Sequence, residues 1–146
     1  MRKINYIVVH CSATREGCPL PSEAREAEPR RRGFRTTGYH YYIRRDGTVL
    51  GTRSLELPGA HCRGHNKYSI GICYEGGLDA RGNPKDTRTP EQRSALHLLV
   101  YQLLQQFRNA RVCGHRDLSP DLDGDGTVEP WEWVKQCPCF EVSKEF

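Results

Sequence analysis

At 146 residues the chain is long enough for one domain with a real hydrophobic core. Only 36% of it is apolar, yet periodic apolar segments persist, which excludes a disordered chain. No run of about 18 apolar residues occurs, which excludes a membrane-spanning helix. Twenty-two basic against 18 acidic residues leave a net charge of +4. That mild excess suits an anionic partner (nucleic acid, acidic membrane or cell-wall polymer) and equally an ordinary basic surface.

The opening MRKINYIVVH enters a strand without the apolar stretch and cleavage site of a secretory signal, so synthesis in the cytoplasm is expected. Seven cysteines, an odd number, fit that reducing compartment, where thiols bind metal or fill space more often than they pair. INYIVVH (4–10) alternates at the strand period, and Ser12 to Thr14 with Gly17 and Pro19 end it. Charged residues 22–32 suit a short exposed helix, which Pro29 would break or shorten. GYHYYIRRDGTVLGTR (38–53) reads as a hairpin turning at Asp46-Gly47. A loop at 57–68, a strand at 69–77 and a polar loop at 77–88 follow. TPEQRSALHLLVYQLLQQFRNA is the clearest element: Thr89 fits an N-cap, Pro90 the first helical position, and Gln92 completes a capping box. Leu96, Leu99, Val100, Leu103, Leu104 and Phe107 share one face of about five turns. RVCGHRD (111–117) is a short strand entering a loop, ahead of an acidic, Gly-rich stretch and an aromatic tail. The pattern is α/β: a single domain, 1–146, with a central mixed sheet flanked by helices.

His10 closes an apolar strand, where an imidazole without a partner is costly. Alternation sends His10 and Cys11 to opposite faces, so they do not share a metal, and Cys11 reads as packing. His115 ends a strand at the other end of the chain, and the two histidines meet if those strand ends share one sheet edge. Cys113, two residues earlier on the same face, is a rival ligand, and one of Cys137 and Cys139 is another. From the residues alone, a metal at His10 and His115 stands level with hydrogen-bonded structural histidines. His61 and His65 are four apart, but Gly59 and Gly64 argue against a helix there. His97 reads as solvated, and His40 has no assigned role.

VHCSAT, GYHYYIRRDGTV, GAHCRGHNKYSIGI, GHRDLSP and KQCPCF, in that order, resemble the type 2 N-acetylmuramoyl-L-alanine amidases. That family includes the phage lysozyme-type amidases and is related to the peptidoglycan recognition proteins. The resemblance spans about residues 4 to 142 and implies their fold. It implies a zinc enzyme that cuts the amide between muramic acid and L-alanine in peptidoglycan. It carries zinc ligation to His10, His115 and Cys137, catalytic assistance to Tyr39 and Lys135, and substrate contact to His61 and Asn66. The small size and the missing signal suggest a phage or prophage origin, with the protein reaching the wall after release or export, and a monomer is expected. Because non-catalytic relatives typically lose the cysteine, Cys137 favours the enzyme over a muropeptide-binding module, the alternative reading.

Two departures stand out. Residues 18–33 look irregular where the family commonly has a helix near the cleft. Residues 121–132, DLDGDGTVEPWE, insert a calcium-loop pattern. Asp121, Asp123, Asp125, Thr127 and Glu132 would hold Ca2+, with Gly126 at the sharp turn, although Pro120 argues against a standard entering helix. The expected role of such an ion is structural, pinning the loop that carries Lys135 and Cys137. A nucleic-acid-binding zinc protein finds no support, since CxxC pairs, a basic stripe and a recognition helix are all missing.

Overall fold

The computed structural model describes residues 2–17, 38–119 and 136–146. The expected helix at 22–32 and the acidic loop lie outside them. Strands β1 (Tyr6–Cys11), β3 (Tyr41–Ile43), β4 (Val49–Gly51), β5 (Ser69–Tyr74) and β7 (Arg111–Gly114) form one sheet in the order β4-β3-β5-β1-β7. All neighbours run parallel except β4, which pairs antiparallel with β3 across the expected Asp46-Gly47 turn. Gly47 takes a φ of 88° there, a conformation open to glycine at little cost. A second, two-stranded pairing joins β2 (Thr14–Arg15) to β6 (Gly77–Leu78).

Alternation sorts the central strands into two faces. Ile7, Val9 and Cys11 of β1 and Ile70, Ile72 and Tyr74 of β5 enter one core with Ile43. Opposite them lies helix α1 (Pro90–Gln106), contributing Leu96, Leu99, Val100 and Leu103. The other face carries His10 on β1 and only small residues on β5, namely Ser69, Gly71 and Cys73. β5 stops at Tyr74, earlier than the sequence pattern predicts. Gly76 and Gly77 have φ values of 140° and 100°, and a Cβ on Gly77 would come within 2.5 Å of the Cys11 sulfur.

The expected capping box forms: Gln92 N–H donates to Thr89 Oγ1 at 3.1 Å, and Thr89 N–H to Gln92 Oε1 at 3.0 Å. Gln92 is buried, and its Nε2 donates to the carbonyls of Ile43 and Glu75. One residue thus starts the helix and fixes it to the ends of β3 and β5. His97, expected to be solvated, is half exposed and stacks on Phe146 at 4.5 Å between ring centroids.

The C-terminus is held by a buried cation. Arg88 donates to Asp86 at 2.9 Å and to Glu145 at 2.7 Å and 2.9 Å, and its guanidinium lies 3.4 Å from the centroid of Phe140. Burial works to raise the Asp86 carboxyl, but hydrogen bonds and charge from Arg88 outweigh it and leave it below the usual range. Glu145 is lowered as well, first by its hydrogen bonds to Arg88. Both folded values lie below the unfolded ones, so this contribution is complete above the ordinary carboxylate range of about 3.9–4.3. It is lost as pH falls through the lowered folded values. Replacing Arg88 by methionine leaves two facing carboxylates and is expected to cost about 3–5 kcal/mol in urea denaturation at pH 7. The deficit should shrink as both acids protonate. A loss below about 1 kcal/mol would rule out the ion cluster as a main C-terminal anchor.

Candidate metal centre and its cleft

The register of β1 with β7 pairs Val9 with Gly114, which brings the next residues, His10 and His115, side by side. Their ring centroids are 4.6 Å apart. His115 opens the short 3-10 turn that follows β7, and Asp117 of that turn accepts the Gly114 N–H at 2.7 Å. Cys137 arrives from the C-terminal segment and is attached to both strand ends. Its Sγ accepts the Cys11 N–H at 3.1 Å, and its carbonyl accepts the Arg116 N–H at 2.9 Å. One ligand atom from each of His10, His115 and Cys137 lies within 4.8 Å of the others, with His10 buried and the other two partly so.

The rival cysteines sit elsewhere. Cys113 pairs with Val8, deeper along the strands, and burial pushes its thiol up to about 12. The Cys139 thiol donates to the Gly77 carbonyl at 3.3 Å. Cys11 faces the helix-side core, and its hydrogen bond with Cys137 leads the causes that push it up to about 12.

Tyr39 and His61 stand over His10, with ring centroids 5.1 Å and 4.9 Å from it. The neighbouring Cys73 sulfur, and then burial, raise the Tyr39 phenol well above its ordinary pKa, so it remains a hydroxyl donor. His61 is lowered to about 3, first by burial and then by His40 and His115, so it is neutral. Asn66 accepts the backbone N–H groups of both His61 and Cys62 at 2.9 Å through Oδ1, and so shapes the loop that carries His61. A cleft of about 900 Å³ opens from here, with Arg63, Asn66, His115, Asp117 and Ser119 among its lining. Lys135 and the calcium-loop residues Asp121, Asp123, Asp125, Thr127 and Glu132 lie outside the described residues.

Two imidazoles and a thiol from three separate segments are the donor chemistry of a three-ligand catalytic zinc site. At zinc's bond lengths the donors would stand roughly 3.3–3.6 Å apart, inside the 4.8 Å within which all three lie. The residues fit the ion. Sequence reasoning missed Ser69, whose hydroxyl lies 3.1 Å from His61 Nε2, and Cys73, which hydrogen-bonds Tyr39. It also gave no role to His40, which is buried and accepts the Gly71 N–H at 3.1 Å through Nδ1. The available signal was the small-residue alternation Ser69, Gly71, Cys73, which marks a strand face with something bulky against it.

A family model described as N-acetylmuramoyl-L-alanine amidase matches residues 1–138. The chain belongs to this amidase family. It is 34% identical over 143 residues to an endolysin of Klebsiella phage KP32, covering 98% of this chain and 85% of that one. A Haemophilus influenzae protein of uncharacterised role is 47% identical over 97 residues, 66% of this chain and 84% of its own. Among solved structures, the N-acetylmuramoyl-L-alanine amidase LysC from Clostridium intestinale superposes with a TM-score of 0.73 at 25% identity. That match covers 99% of this chain and 82% of LysC. The mixed sheet described above is therefore the amidase fold.

Proposed function

We propose that this amidase hydrolyses the bond between the lactyl group of N-acetylmuramic acid and L-alanine of the stem peptide, using zinc held by His10, His115 and Cys137. The convergence of those three donors beside the cleft is the observation that carries the reading. Zinc, when bound, supplies a nucleophile from water at neutral pH and a positive charge beside the scissile carbonyl.

The chain's own groups supply the rest. Tyr39, a neutral phenol 5.1 Å from His10 between ring centroids, is suited to donate to the carbonyl oxygen as it gains charge. Such a donor is often worth ~3–4 kcal/mol. Lys135, two residues before Cys137, adds an ammonium in the same role by its place in the family motif. Arg63, Asp117 and Ser119 give the cleft charged and hydroxyl groups that suit a substrate with sugar hydroxyls, amides and carboxylates. No helix among the described residues is long and apolar enough to cross a membrane. The proposed place of action is the wall, reached by release or export, with the protein acting as a monomer.

The test is mass spectrometry of a muramoyl-peptide incubated with the purified protein. Expected is a free stem peptide beginning with L-alanine, absent after chelation and restored by zinc. An intact muropeptide after incubation with folded, zinc-loaded protein would reject the enzyme in favour of a binding module.

A further inference from the structure

His61 lines the cleft but is held by several protein contacts. A methyl group built on Gly71 would come within 2.7 Å of its ring carbons Cγ and Cδ2, and one on Gly59 within 2.4 Å of Cδ2. The imidazole is therefore seated between two positions where only hydrogen fits. Its backbone is fixed by Asn66. Both ring nitrogens are engaged: Nδ1 lies 2.9 Å from His10 Nε2, and Nε2 lies 3.1 Å from Ser69 Oγ. A neutral imidazole offers one donor and one acceptor. With both directed at protein groups, His61 has neither left to specify a substrate, the role its sequence motif implies.

The direction of these hydrogen bonds matters to the metal. If His10 Nε2 carries the hydrogen, it donates to His61 Nδ1, and His61 donates from Nε2 to Ser69. His10 Nδ1 then keeps its lone pair. In the reverse arrangement His61 donates to His10, whose hydrogen must sit on Nδ1 and close that atom to a metal. The serine hydroxyl accommodates either, so zinc itself selects the first. Metal-binding histidines usually give their second N–H to a carboxylate or a carbonyl, and removing such a partner typically weakens the metal 10- to 100-fold. Here the acceptor is another imidazole.

We propose that His61 is a positioning residue for the metal centre: it accepts the Nε2 hydrogen of His10 and so holds that ring with Nδ1 presented to zinc, while Ser69, Gly59 and Gly71 hold His61. This inference rests on the zinc reading above. It separates His61 from the residues that touch substrate, and it makes the small face of β5 part of the metal site.

The test measures zinc affinity by competition with a chromophoric chelator, for the full-length protein and for His61→Phe, His61→Asn and Ser69→Ala. NMR of the ring nitrogens in the zinc-loaded wild type gives the His10 tautomer. Expected is a protonated His10 Nε2 with Nδ1 on the metal. His61→Phe, which fills the seat but accepts nothing, should weaken zinc 10- to 100-fold. His61→Asn, whose amide oxygen can accept from His10, should regain most of that loss. Ser69→Ala should weaken zinc several-fold. Wild-type affinity in His61→Phe, or His10 bound to zinc through Nε2, overturns the proposal while leaving the zinc site intact. If His61→Phe does not fold, the wild-type NMR and the Ser69→Ala affinity decide. A wild type that takes up no zinc fails the zinc reading itself, and the role of His61 falls with it.

Discussion

Replacing His115 by alanine is expected to abolish zinc uptake and to reduce hydrolysis by about a thousandfold or more. On the proposed zinc reading, the barrier would rise because water would lose the ion that lowers its pKa from 15.7 to about 7. The substitution should leave the fold almost untouched. His115 is only partly buried and lies beyond the last ladder position of β7, so the strand pairing does not depend on its side chain. Thermal unfolding of the metal-free variant should fall within about 1 kcal/mol of metal-free wild type, as for most substitutions away from the core. Cys137→Ala should remove the same activity less cleanly, because Cys137 Sγ accepts the buried Cys11 N–H. Leaving that donor unmet costs about 1–3 kcal/mol. Residual hydrolysis above a tenth of wild type in His115→Ala, measured on a muramoyl-peptide with zinc present, would mean that other groups carry the reaction.

The two sides of this site differ in how far the sequence reveals them. The helix side of the sheet is legible almost residue by residue. Alternating Ile7 and Val9, alternating Ile70 and Ile72, and the 3.6-residue period of Leu96, Leu99, Val100 and Leu103 all bury apolar surface at regular spacing, which is the signal that pattern reading detects. Partnership across the sheet is hidden. Nothing local says that β1 lies between β5 and β7, yet that order sets His10 beside His115. The five ordered motifs substitute for that missing information by bringing a known arrangement with them. Even so, a motif names residues without dividing their labour. GAHCRGHN marks His61 and Asn66 alike, whereas the structure gives Asn66 two backbone N–H groups to hold and turns both ring nitrogens of His61 toward protein partners. The choice among Cys113, Cys137 and Cys139 depends on chain path at a strand end, which periodicity does not encode.

Gly38→Ala is expected to damage both stability and rate, through a contact that involves no functional side chain. A Cβ on Gly38 would lie 2.3 Å from the Ala60 carbonyl oxygen and 2.9 Å from its carbon, and both are backbone atoms that cannot rotate away. The Ala60 N–H in turn donates to the Gly38 carbonyl at 2.9 Å, so the two segments cross at their closest approach. Each segment continues directly into a site residue: Gly38 into Tyr39 and Ala60 into His61, whose rings stand 6.5 Å apart above His10. Reaching an ordinary contact near 3.4 Å requires the crossing to open by about 1 Å, and overpacking of this kind costs about 1–3 kcal/mol. Misplacement of about 1 Å in a reacting geometry can cost on the order of a hundredfold in rate. The expected variant is therefore folded at 25 °C with a lower urea midpoint, and its kcat falls far more than its stability accounts for. Zinc affinity should fall as well, since His61 moves relative to His10. A variant that loses stability but keeps wild-type kcat would show that the Gly38–Ala60 crossing serves packing alone and that Tyr39 is placed by its other contacts, such as the Thr52 hydroxyl that donates to its carbonyl at 2.7 Å.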